Sequence, residues 1–192
     1  TVEDEVLDDW RVFYNDKKTG NVYIILDGYL PNKLIPETTG MTTTGTYQAY
    51  WDTTKFPTNE EAVATLKNQT YWSAFAGGLT GATAYGGPTN KMFVDSWNEN
   101  PSVNSTKLSV ETYTTGLLDS SKLYIPYTDS FENSNGYWIT STHYNSSVYL
   151  WVLGYGDRIG GDYIGNGYSV RPLVCLSSRT TGTVGTSVTI DK

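Results

Sequence analysis

The chain has 192 residues and a formal net charge of −7, from 13 Lys and Arg against 20 Asp and Glu, which is long enough for one domain whose core needs no disulfide or metal staple. Only 17% of residues are charged and 14% are aromatic, against about 25% charged in an ordinary soluble domain, and that balance excludes intrinsic disorder. The lack of any basic cluster excludes a nucleic-acid partner, one cysteine and one histidine exclude a disulfide framework and a multi-cysteine zinc site, and no apolar run nears the ~20 residues of a membrane span.

Residues 1–9, with Glu3, Asp4, Glu5, Asp8 and Asp9, read as a solvated acidic leader, and an upstream leader or anchor is expected to have been cut away. The alternating run at 10–14 and the more apolar run at 21–26, joined by a turn ending on Gly20, predict a hairpin. Asp27, Gly28 and Pro31 break it, and residues 36–50, rich in Thr and Gly, predict a loop. Thr58 followed three residues later by Glu61 is a capping box that opens a helix, with Ala62, Val63 and Leu66 as its apolar residues. Residues 71–76 continue or turn that helix before Gly77 and Gly78 end it. A second helix follows Gly86, Gly87, Pro88 and Thr89, carries Met92, Phe93 and Trp97 at helical spacing, and stops at Pro101. Residues 101–121 predict an irregular connection, and 123–127 an edge strand, because Pro126 cannot donate to a ladder. The last third reads as β, with strands at 137–140, 148–153 and 168–176, a shorter piece near 163–164, and glycines between them. The tail, residues 179–192, is a final strand at 187–190 or an extension. Helices and strands fall in blocks rather than alternating, which predicts an α+β domain over residues 10–178.

Three motifs point to one architecture. They are Gly87-Pro88-Thr89 leading into Met92, Phe93 and Trp97-Asn98-Glu99; then Gly136-Tyr137-Trp138 with Ile139, Thr140 and Ser141; then Gly167 and Tyr168 ahead of Val170-Arg171-Pro172. In this order they resemble the C-type-lectin-like domain of bacterial and prophage surface proteins, the fold shared by formylglycine-generating enzymes and by the variable proteins of diversity-generating retroelements. The resemblance implies two helices packed on a small twisted antiparallel sheet, with ligand binding on the late strands and loops, here residues 143–168. It implies a non-catalytic, adhesin-like or receptor-binding domain displayed outside the cell, on a surface or a virion. Formylglycine-generating enzymes use active cysteines, and this chain has a single one. Calcium-dependent lectins carry a Glu-Pro-Asn or Gln-Pro-Asp triplet and two disulfides, which this sequence lacks.

Within 143–168, Trp151, Leu153, Ile159, Ile164 and Val170 just beyond it are spaced to face a core. The residues between them have the chemistry of a contact surface: Tyr144, Asn145, Tyr149, Val152, Tyr155, Asp157, Arg158, Asp162, Tyr163, Asn166 and Tyr168. Tyrosine offers large, stiff area with a polar tip, and Asn, Ser and Gly offer adaptable hydrogen bonding. Arg158 would anchor an acidic group. The same composition suits a hypervariable segment made by adenine-directed mutagenesis. The expected partner is a protein or glycan ligand, with no cofactor and no metal.

The remaining chemistry-bearing residues read as structural. His143 has no sequence partner for base catalysis. Cys175 sits in an apolar strand as a small hydrophobe, and Arg171 suits a clamp on carbonyls or a carboxylate between core elements. Asp157 and Asp162 lack the spacing of a calcium loop and read as a solvated turn, and nothing fixes their separation as a pair of glycosidase carboxylates. Asn68, Asn104 and Asn145 begin glycosylation sequons that matter only in a eukaryotic secretory setting. Two alternatives stay open: an enzyme of the formylglycine-generating type, and a structural module packing within a larger surface assembly.

Overall fold

The computed structural model describes residues 10–99, 136–154, 158–177 and 186–188. The acidic leader, Pro101, the connection at 101–121 and the predicted edge strand at 123–127 lie outside the described residues. Within them the chain is mixed α+β, mostly sheet, with a few short helices.

The first hairpin is β1 (Trp10–Asp16) and β2 (Asn21–Leu26). Its turn closes on Gly20 at φ 74°, with the Asp16 carboxylate accepting from the Lys18 amide at 2.9 Å. The expected loop at 36–50 contains a second, small hairpin, β3 (Thr42–Thr44) with β4 (Gln48–Tyr50). Its turn is held from outside by the Asn32 amide, which donates to the Thr44 and Gly45 carbonyls at 2.9 Å each.

Helix α1 (Asn59–Lys67) begins at Thr58 with the capping box complete in both directions. Asn68 breaks the helix with ψ near 99°, and its side chain then caps the single turn α2 (Gln69–Trp72). A 3-10 turn leads to Gly77 at φ 59°. After β5 (Ala82–Tyr85) comes α3 (Asn90–Glu99). The late strands are β6 (Gly136–Thr142), β7 (Tyr149–Gly154), β8 (Arg158–Tyr163), β9 (Leu173–Leu176) and β10 (Ser187–Val188).

One antiparallel sheet has the order β10-β1-β2-β9-β5, so early and late parts of the chain share it; a second is β6-β7-β8. The central strands of both sheets are buried on two faces. One apolar cluster takes Ile24, Trp51, Leu66, Trp72, Trp138, Leu150, Val152 and Ile164, and the other takes Phe13, Ile25, Phe93, Ile139, Trp151, Leu153 and Ile159. Consecutive residues of β7 therefore point into opposite clusters, as a strand covered on both sides requires. This corrects the reading of Val152 as a surface residue: it is 4% exposed and packs in the first cluster.

The predicted strand at 168–176 is likewise not one ladder. Tyr168 bridges to Ala49 in β4, and Ser169 bonds in parallel to β6 through Gly136 and Trp138. Val170 accepts from Leu30, and Pro172 accepts from Leu26, before β9 begins. Pro172 has no N–H to give a ladder, so this stretch is handed from partner to partner and stitches the sheets together. Arg171 lies at its centre, fully buried, with Nε donating to the Leu26 carbonyl at 2.8 Å. Its guanidinium is 3.6 Å from the Asp27 carboxylate and lies over the rings of Tyr29 and Tyr137, 5.8 and 5.3 Å from their centroids.

Candidate recognition face and adjoining cleft

The buried sheet β6-β7-β8 carries an aromatic surface at the end where residues 143–148 join β6 to β7. Tyr144 is 63% exposed and Tyr149 38%. Both rings meet His143, at 4.7 and 6.2 Å between centroids, and His143 in turn lies 4.7 Å from Trp151 beneath it. Tyr149 continues the row to Tyr163 at 6.4 Å. The row can form because Gly161 has no side chain: a Cβ there would lie 2.2 Å from the His143 ring.

The loop beneath Tyr144 is fixed by the first residue of α1. Asn59, 3% exposed at the start of α1, donates its side-chain amide to the Ser146 and Tyr149 carbonyls at 2.7 Å each. Its backbone N–H donates to the Ser147 carbonyl, also at 2.7 Å. Four further contacts hold the neighbouring turn. The Asp162 carboxylate accepts from the Tyr163 amide, from the Asn166 side chain at 2.9 Å, and from the Tyr168 hydroxyl, while the Tyr168 ring packs edge-on against Trp138 at 4.9 Å. Burial, then the Asp162 carboxylate, pushes the Tyr168 phenol well up.

These placements divide the predicted surface. Tyr144, Asn145 and Tyr149 are exposed, Tyr163 is half-buried, and Asn166 is exposed but bonded to Asp162. Tyr168 is 9% exposed, so it and Asp162 act as an internal brace rather than as free contact groups. Tyr155 and Asp157 lie outside the described residues. Arg158 opens β8 opposite Gly154, and its side chain also falls outside them.

The Tyr163 ring also forms one wall of a cleft of about 400 Å3, shared with Thr42, Tyr50, Asp52 and Thr53. The Tyr163 hydroxyl donates to Thr53 at 3.1 Å. Hydrogen bonds from the Thr54 side chain and amide hold the Asp52 carboxyl below the usual carboxylate range, so the cleft contains a fixed negative charge. None of Thr42, Tyr50, Asp52 and Thr53 was singled out from the sequence. The alternation Tyr47, Gln48, Ala49, Tyr50 was the available signal, and the surrounding threonines and glycines obscured it.

Burial lowers the pKa of His143, and a hydrogen bond with Asn145 opposes this only in part. The folded protein therefore disfavours the charged ring. The stability His143 contributes is present above the unfolded value of about 6.5 and is lost as pH falls through the depressed folded value. Melting temperature is expected to fall between about pH 7.5 and about pH 5.5, and His143→Gln should flatten that slope. A slope unchanged in the variant would show that His143 does not control it. Among the described residues no group of three or more His, Cys, Asp or Glu is arranged to hold a metal ion, and no helix is long and apolar enough to cross a membrane. Compared with known proteins, the chain matches no protein-family model, no curated protein and no solved structure.

Proposed function

We propose that the chain is a non-catalytic recognition domain of C-type-lectin-like architecture, displayed on a cell surface or virion, and that it binds a protein or glycan through the face built on Tyr144, Asn145, Tyr149 and Tyr163. The proposed contact residues also include Tyr155, Asp157 and Arg158. One observation carries it. Tyr144 and Tyr149 are the exposed large hydrophobic side chains among the described residues, and both meet the same histidine on a loop pinned at three carbonyls. An exposed aromatic pair on a rigid backbone offers contact area with little entropy left to lose on binding. The helices α1 and α3 beside small antiparallel sheets, with the face on late strands, support the architecture. Variation of residues 143–168 in the manner of retroelement proteins belongs to the same proposal.

The test is retention of the purified chain on a printed glycan array and on intact bacterial cells, compared with the Tyr144→Ala/Tyr149→Ala double variant. Wild-type chain is expected to be retained on at least one of these surfaces, and the variant to lose about tenfold or more in affinity. Its melting temperature should stay within about 2 °C of wild type, because exposed side chains contribute little to stability. Equal retention of the two proteins, or retention of neither, overturns the proposal.

A further inference from the structure

A second cavity, of about 350 Å3, shares no lining residue with the cleft beside Tyr163. It lies where β2, β5 and β9 meet the end of α1 and the start of α3. Its apolar wall is Met92, Leu173 and the rings of Tyr23 and Tyr85, and its rim carries Lys67 and Gln69. The volume is at the small end of sites that enclose organic ligands.

Its charge pattern is specific. Lys67 is exposed and forms no ion pair with a carboxylate among the described residues. No described acidic residue lines the cavity, in a chain whose net charge is −7. Gln69, also exposed, is tied to the cavity wall, its amide donating to the Tyr85 hydroxyl at 3.3 Å. Desolvation pushes the Tyr23 phenol up to about 12 and raises that of Tyr85 as well, so neither opposes an anion with its own charge near neutral pH.

We infer that this cavity binds a small aromatic monocarboxylate, its carboxylate at the Lys67 and Gln69 rim and its ring against Met92 and the two phenols. A single lysine balances one negative charge, whereas a phosphate recruits several donors, commonly from arginine. A thioether beside two phenol rings favours a flat π-surface over a branched aliphatic body. The site is independent of the recognition face.

The chain's two methionines make the test direct. Met92 lines the cavity, while Met41 packs against the other apolar cluster. With 13C-methyl methionine, titration with indole-3-acetate up to about 10 mM, the weak end for a fragment-sized ligand, is expected to move the Met92 signal saturably and leave Met41 in place. Indole-3-acetamide should bind about fivefold more weakly, the scale of one exposed ion pair. Lys67→Gln should weaken the acetate by the same factor and leave the amide unaffected. The Tyr144→Ala/Tyr149→Ala variant should bind the acetate like wild type, which separates this site from the face above. A Met92 signal that does not move, equal movement of Met41, or equal affinity for acetate and acetamide overturns the inference.

Discussion

Replacing Arg171 with methionine is expected to cost about 3 kcal/mol, lowering the melting temperature by roughly 6–12 °C for a chain of this size. The side chain is fully buried, and it is the one charged residue of the stretch 168–172 that passes between the sheets. It gives Nε–H to the Leu26 carbonyl, faces Asp27 and packs against the adjoining rings of Tyr29 and Tyr137. Methionine keeps the volume and the contact with the rings but returns no donor and no charge. Asp27 keeps its 2.8 Å bond from Arg11, which is why the expected cost sits at the low end for breaking a buried pair. Thermal melts of Arg171→Met, Asp27→Asn and the double variant form a cycle. The double variant should fall by less than the sum of the single ones. Strict additivity would show that the two side chains do not act together.

Gly136→Ala is expected to cost about 4 kcal/mol or more, a large part of the 5–15 kcal/mol that holds a typical domain folded. Two independent problems coincide there. Gly136 has φ 117°, a region that residues with a Cβ rarely adopt. A Cβ on it would also lie 1.8 Å from the Leu153 carbonyl oxygen. That obstacle is backbone of β7, one residue from Gly154, the register partner of Gly136, so no rotamer change relieves it. Moving the strands apart would also stretch the bond from the Ser169 amide to the Gly136 carbonyl. Urea denaturation should show a midpoint far below wild type, with near-UV circular dichroism from the packed Trp138 and Trp151 reduced. A midpoint near that of wild type would mean that the β6–β7 pairing is not rigid at this position.

What the sequence made legible was local. The capping box at Thr58 and Glu61, the hairpin turn at Gly20 and the helix after Thr89 each depend on residues within one or two turns of each other. Elements that form only through distant partners stayed hidden. The strand β5 has a weak pattern of its own and exists by pairing with β9 some ninety residues later. The hairpin β3–β4 depends on Asn32 and on the bridge from Ala49 to Tyr168. At the candidate face, alternation correctly placed Trp151 and Leu153 inside, but the same logic put Val152 outside, because nothing local reveals that a strand is covered on both sides. Tyr168 and Asp162 have the chemistry of contact residues, and here they spend it on each other. Asn59 lies 87 and 90 residues from the carbonyls it holds, a relation invisible to any reading of neighbours.

That hold has a consequence for evolution. The three acceptors gripped by Asn59 are main-chain oxygens of Ser146, Ser147 and Tyr149, a feature every amino acid presents identically. Exchanging the side chains at 144, 145 and 147 alters what is offered to the outside while keeping all three of these bonds, whereas the Ser146 hydroxyl accepts from the Val148 amide and belongs to the loop's own frame. At those three positions the segment can be rewritten letter by letter without renegotiating its attachment to α1.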